Sequence, residues 1–204
     1  MSVNIFEDQA HEYLRLNGFF LVRNFVIHFE NAQAQEIDLL GIRLPGSVEQ
    51  TMYSDGKFAT LVFQDDERLE LRDNSEVILL IGEVTESTSN TEIQKRISHL
   101  RNHMRIKYAL QRFGIVEMRD AEKLALGEII EHPSCTRLRL LRILFLINDE
   151  TAINYQKQNS DLTFISQKHI LDFIDKRAKI NIKERARTHL PRWLHNSVDR
   201  LLQR

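Results

Sequence analysis

Residues 77–85, Val-Ile-Leu-Leu-Ile-Gly-Glu-Val-Thr, constrain this chain more than any other stretch. Six positions in a row are apolar or glycine, and the run is too short for a helix of ordinary length. A run of this kind predicts a strand buried on both faces, and such a strand needs a layer of structure on each side of its sheet. It also ends on a carboxylate, Glu83. A second apolar strand pattern, Leu39-Leu40-Gly41-Ile42, opens on another carboxylate within Glu36-Ile37-Asp38. Burying a carboxylate at a strand mouth is costly unless a cation shares the site, so the two together predict a cationic partner.

The surrounding pattern predicts the order of elements. Residues 4–17 form an apolar stripe at helical spacing, stopped by Asn17-Gly18. Phe19–Phe29 and Glu36–Leu44 read as strands, the second ended by Pro45-Gly46. Residues 47–76 are polar and irregular apart from Phe58–Phe63. After the 77–85 strand and a polar loop at 87–90, a long helix is expected from about 91 to 113. Another is expected over 119–131, then strands at 137–148 and 162–165, and a helix at 167–179 capped by Ser166. The remainder reads as a basic helical extension. The expected fold is α/β: a central mixed β-sheet flanked by helices, with residues 1–150 as the core and 151–204 completing or extending the same domain.

Composition narrows the function classes. With 204 residues, 42% hydrophobic and 28% charged, the chain has enough apolar content for a real core. No apolar run approaches the roughly 18 residues a membrane span requires, so no membrane partner is expected. The N-terminus lacks the pattern of a secretory signal. Cys135 is the one cysteine, which excludes an internal disulfide and a cysteine-based zinc site and fits a cytoplasmic protein. The net charge of −1 conceals a polarity: residues 1–92 hold 6 Lys/Arg and 17 Asp/Glu, while residues 93–204 hold 22 and 12. An acidic site beside a basic surface would produce this balance, as would charges scattered over solvated faces.

The two carboxylates suit a hard divalent cation, which is usually held by one or two carboxylates with water and phosphate oxygens. Such an ion polarises a phosphoryl group and helps deprotonate water. Strand alternation puts Glu83 and Thr85 on one face and Val84 on the other. The segments that carry this pattern are Ala10-His11-Glu12-Tyr13-Leu14, Gly18–Val22, Glu36–Gly41 and Leu80–Thr85. Together they resemble the PD-(D/E)XK, or restriction endonuclease-like, nuclease superfamily over about residues 4–113, with 137–148 continuing the sheet. The resemblance implies an α/β/α core and a nuclease acting on DNA through Mg²⁺ or Mn²⁺. It implies Asp38, Glu83 and the Val84 carbonyl as metal ligands and Glu12 as a residue that positions water or a second ion. It also allows a homodimer, as related nucleases often cut both strands.

Thr85 stands where the motif requires lysine, and a hydroxyl supplies no charge. Lys95 is the nearest replacement, with Arg96 next; Gln94 resembles a helix glutamine of related nucleases. The alternative is a nuclease-like scaffold that has lost catalysis and serves nucleic-acid binding or assembly. Arg96, His99, Arg101, His103 and Arg105 on the acid-free helix would contact phosphates through non-specific electrostatics. His99 and His103, four apart, share a helix face on this reading, and an H-x3-H pair can bind zinc. No phosphate-binding glycine loop and no G-x-S-x-G elbow is present. Asp38 and Glu83 could also be strand-end carboxylates that simply meet arginines.

Overall fold

The computed structural model describes residues 4–28, 34–47, 50–52, 58–60, 65–71, 75–114, 116–132 and 135–180. The C-terminal extension after 180 lies outside the described residues, as do 61–63 of the expected 58–63 strand. The chain is α/β, with a mixed six-stranded sheet flanked by helices. In chain order the elements are α1 (Ile5–Leu16), β1 (Phe20–Ile27), β2 (Gln35–Arg43), β3 (Gln50–Met52), β4 (Phe58–Thr60), β5 (Glu76–Thr85), α2 (Asn90–Arg101), α3 (His103–Gln111), α4 (Met118–Ala125), β6 (Ile130–His132), β7 (Cys135–Leu146), α5 (Asp149–Gln158), β8 (Thr163–Ser166) and α6 (Gln167–Ile180). The sheet runs β1-β2-β5-β7-β6, and β8 continues from β7 beyond β6. β1, β2 and β5 form an antiparallel meander, while β7 lies parallel to β5 and β8 parallel to β7.

β5 is buried at all ten positions, as its apolar run requires. Alternation divides its side chains between two cores. Val77, Leu79 and Ile81 pack with Ile93, Ile97, Ile106, Leu110 and Leu124 from α2, α3 and α4. Ile78, Leu80 and Val84 pack with Phe6, Tyr13, Leu14, Ile170 and Ile174 from α1 and α6. Because β8 pairs with β7 and α6 packs on α1, residues 151–180 share the body formed by the first 150.

Local signals explain the helix ends. The Asn4 side chain accepts the N–H groups of Phe6 and Glu7, both at 3.1 Å, and starts α1. Gly18, at φ 83°, ends it, with Gly18 N–H donating to the Arg15 carbonyl at 3.0 Å and Phe19 N–H to Leu14 at 3.2 Å. Ser166 Oγ accepts the His169 N–H at 3.2 Å and caps α6.

Three expectations need correction. The long 91–113 helix is two helices. Asn102 adopts an extended conformation between them, and its side chain accepts the Arg105 N–H at 3.1 Å to restart the chain as α3. The 119–131 helix stops at Ala125, Gly127 takes φ 89°, and Ile130–His132 turn into the edge strand β6. The polar start at Asn148 opens α5, which the sequence reading omits: Asn148 Oδ1 accepts the Thr151 N–H at 3.0 Å. Among the described residues no helix is long and apolar enough to cross a membrane.

Candidate functional site: a carboxylate pair held by two arginines

Asp38 and Glu83 come together. The β2–β5 ladder ends at Leu39 opposite Gly82, so the next step along each strand brings Asp38 and Glu83 side by side on the face covered by α2 and α3. Glu83 is fully buried. Asp38 Oδ2 accepts the Val84 N–H at 2.7 Å, which binds the start of β2 to the end of β5.

The cations that share this site are guanidinium groups. Arg96 Nη1 lies 2.7 Å from Glu83 Oε2 and 3.2 Å from Asp38 Oδ2, and Arg96 Nε donates to Glu92 Oε1 at 3.1 Å. From the other side, buried Arg105 donates through Nη2 to Glu83 Oε1 and to the Glu36 carbonyl. Arg105 Nε and Nη1 have no hydrogen-bond partner. The break at Asn102 makes this clamp possible. In one continuous helix, nine residues at 3.6 per turn would set Arg96 and Arg105 about 180° apart; restarting the helix lets both reach Glu83.

Burial raises the Asp38 pKa to about 7. The neighbouring Glu83 charge adds to the rise, while the Val84 N–H and Arg96 oppose it. Burial disfavours the Arg96 charge, but hydrogen bonding to Glu83 and the fields of Asp38 and Glu83 raise its pKa overall. His99 sits half-buried nearby; burial and then Arg105 lower its pKa, so it tends to be neutral. Glu7 and Glu36 extend the acidic surroundings. Glu7 is raised first by burial and then by Asp8 and Glu36, against the pull of Arg23. With its amide nitrogen turned toward them, Asn24 donates to Glu7 Oε1 at 3.0 Å and Glu36 Oε1 at 3.1 Å.

The other sequence candidates are dispersed. Glu12 belongs to α1, which packs on the opposite face of the sheet, and it pairs with Arg15 of its own helix at 2.6 Å. Thr85 Oγ1 accepts the Ser87 N–H at 3.1 Å and shapes the turn after β5. Lys95 is 61% exposed and stands 3.9 Å from Glu92, whereas Arg96 is the α2 cation that reaches the carboxylates. Arg101 is held by Asp161 at 2.6 and 3.0 Å and by Asn159 at 2.8 Å. His103 is exposed on α3, and the break at Asn102 separates it from His99, so they are not an i, i+4 pair on one helix. Lys107 pairs with Glu122, and Arg112 stacks over Phe25 at 5.9 Å. Most cations of this acid-free stretch are therefore committed within the molecule.

This donor set does not fit Mg²⁺ or Mn²⁺ as arranged. Both Glu83 oxygens and Asp38 Oδ2 already receive N–H donors, and Asp38 is near half-protonated at neutral pH. No group of three or more His, Cys, Asp or Glu side chains among the described residues could hold a metal ion. The partnership of Arg105 with Glu83 was not legible in sequence; the acid-free run around Arg105 pointed outward to phosphate. Comparison with known proteins yielded nothing: no family model, no curated protein and no solved structure matches the chain.

Proposed function

We propose that the chain is a nuclease-like α/β protein whose catalytic position has become an ion-pair network, and that it acts in the cytoplasm by binding or assembly instead of hydrolysis. The order α1, β1, β2, β5, α2, β7 supports the PD-(D/E)XK resemblance, because Asp38 and Glu83 fall at its metal-ligand positions. One observation carries the loss of catalysis: Arg96 and Arg105 occupy both Glu83 oxygens, and Arg96 also reaches Asp38. A guanidinium cannot deprotonate water, and it cannot exchange ligands around a phosphate as a metal ion does. Thr85 adds no charge to replace the motif lysine.

A metal-dependent nuclease is the second reading. It is favoured by the convergence of Asp38 and Glu83 on one Arg96 nitrogen, the point where a cation sits between them. In that reading Arg96 must leave before Mg²⁺ or Mn²⁺ enters.

Plasmid and branched DNA incubated with Mg²⁺ or Mn²⁺ separate the two readings. The binding reading expects no metal-dependent cutting by the wild type, and none by Glu83→Gln. Cutting by the wild type that is lost in Glu83→Gln overturns it in favour of the nuclease. Cutting gained in Thr85→Lys combined with Arg96→Ala would show that the scaffold lacks only its cation. DNA retention that weakens steeply with salt would identify nucleic acid as the bound partner.

A further inference from the structure

The sheet has an open edge at the end remote from the carboxylate pair. Strand order finishes at β6, whose Ile130 pairs with Leu138, and Leu138 in turn pairs with Val77 near the start of β5. Beside β6 lies an open cleft of about 480 Å³. It is walled by the carboxylates of Glu117, Asp120, Glu128 and Glu131, against the two cations Arg119 and Lys123. Among the described residues none of the four carboxylates is ion-paired. Ile130 forms an apolar floor, and Met118, Leu126 and Ile129 remain exposed on the same segment, at 45%, 62% and 47%. An acidic rim around exposed apolar side chains matches a basic segment that also carries large apolar residues.

The chain carries such a segment where it can reach. α6 departs from Ser166, paired with Leu146 at the far ends of the parallel strands, and runs back along the sheet. In its last turns Arg177 lies 3.9 Å from Asp65, and Asp65 is held by Arg43, which pairs with Ile78 near the start of β5. Ile180 therefore ends at the same end of the sheet as β6. Residues 181–204 follow. They contain Lys183, Arg185, Arg187, Arg192, Arg200 and Arg204 against Glu184 and Asp199, a balance of +4, with Leu190, Trp193 and Leu194. At about 3.3 Å per extended residue, 24 residues have ample reach to pass round the edge.

We propose that residues 181–204 dock into the Glu117–Glu131 cleft of the same chain. Their cations meet its carboxylates, and the Trp193 region covers the apolar floor beside β6. Docking there would also cover the open sheet edge, a place where a folded chain otherwise invites unwanted strand pairing.

Trp193 is the chain's one tryptophan and Lys183 the one lysine after residue 180, so both report on this segment alone. The full-length protein is the material for the test. Docking expects a blue-shifted Trp193 emission and zero-length carbodiimide cross-links from Lys183 to Glu128, Glu131, Asp120 or Glu117 within one chain. Both signals should disappear in Glu128→Lys/Glu131→Lys, whose altered side chains are exposed and leave the melting transition in place. Both should also weaken in about 1 M NaCl, where charge attraction is screened within a few ångströms. Glu150→Lys, on α5, should leave both intact. Solvent-exposed Trp193 emission in the wild type, emission indifferent to the double charge reversal, cross-links mapped elsewhere, or cross-links found only between two chains would each overturn the proposal.

Discussion

A single carboxyl, that of Asp38, shows how the fold sets chemistry residue by residue. Its sequence context gives only a strand-opening acid. Folding removes its water and places Glu83 beside it, so its midpoint rises from 3.8 to about 7. Between those values the folded chain keeps a proton that the unfolded chain has released. Stability therefore falls as pH rises from about 4 through 7 and levels off above, by at most about 4 kcal/mol from this one group. Asp38→Asn, which keeps an acceptor for the Val84 N–H, should flatten that slope in urea unfolding measured from pH 4 to 8. An unchanged slope would locate the pH dependence elsewhere. The sequence did mark Asp38 and Glu83 as carboxylates needing a cation; it did not say that the cation would be arginine. Lys95 and Arg96 are adjacent in sequence, and only the angle at which α2 meets β5 decides that Arg96 points inward.

At the scale of elements, β5 was the most legible because apolar residues on both alternating faces admit few other fates. Gly82 shows how closely its neighbours fit. A Cβ there would stand 3.2 Å from Leu39 Cβ and 3.4 Å from the Phe145 ring. Gly82→Val should destabilise the protein by about 1–3 kcal/mol through overpacking, seen as a lower urea midpoint with an unchanged slope. A midpoint within error of the wild type would mean that the strands can part there at no cost. The α2–α3 break was less legible. Asn is an ordinary residue within a polar helix surface, and its role as a cap becomes visible only when Arg105 has a buried carboxylate to reach. Similarly, β6 was read as helix because Ile129-Ile130 following α4 fits either period; the edge of β7 supplied the strand partner.

For the whole molecule, the two faces of the sheet are closed by different chemistry. On the α2–α3 face, Arg96 and Arg105 secure the strand-end carboxylates. On the α1–α6 face, fully buried Arg43 donates to the Asn17 carbonyl at 3.1 Å, the Ser47 carbonyl at 3.2 Å and Asp65 at 2.8 Å. Beside it, His169 of α6 meets Asp66 at 2.5 Å, and Asp66 N–H donates to Asn17 Oδ1 at 2.8 Å. These contacts fasten residues 65–71 onto the α1–α6 layer. Arg43→Met keeps the apolar stem but removes three bonds, and should cost about 2–3 kcal/mol in urea unfolding. A loss below about 0.5 kcal/mol would assign the anchoring to Asp66 and His169 instead.

The order of strands and helices through residue 113, the two-sided burial of β5 and the acidic pair at the strand mouths were determined by the sequence itself. Each rests on local periodicity or on a carboxylate's need for compensation, and neither depends on distant residues. Which cations answer Asp38 and Glu83, where α2 gives way to α3, and which arginines remain for a partner were decided only by tertiary structure. Those outcomes depend on distances between residues such as 38, 83, 96 and 105. A guanidinium that looks solvated along one helix becomes an internal counter-ion when packing brings a buried carboxylate within hydrogen-bond reach.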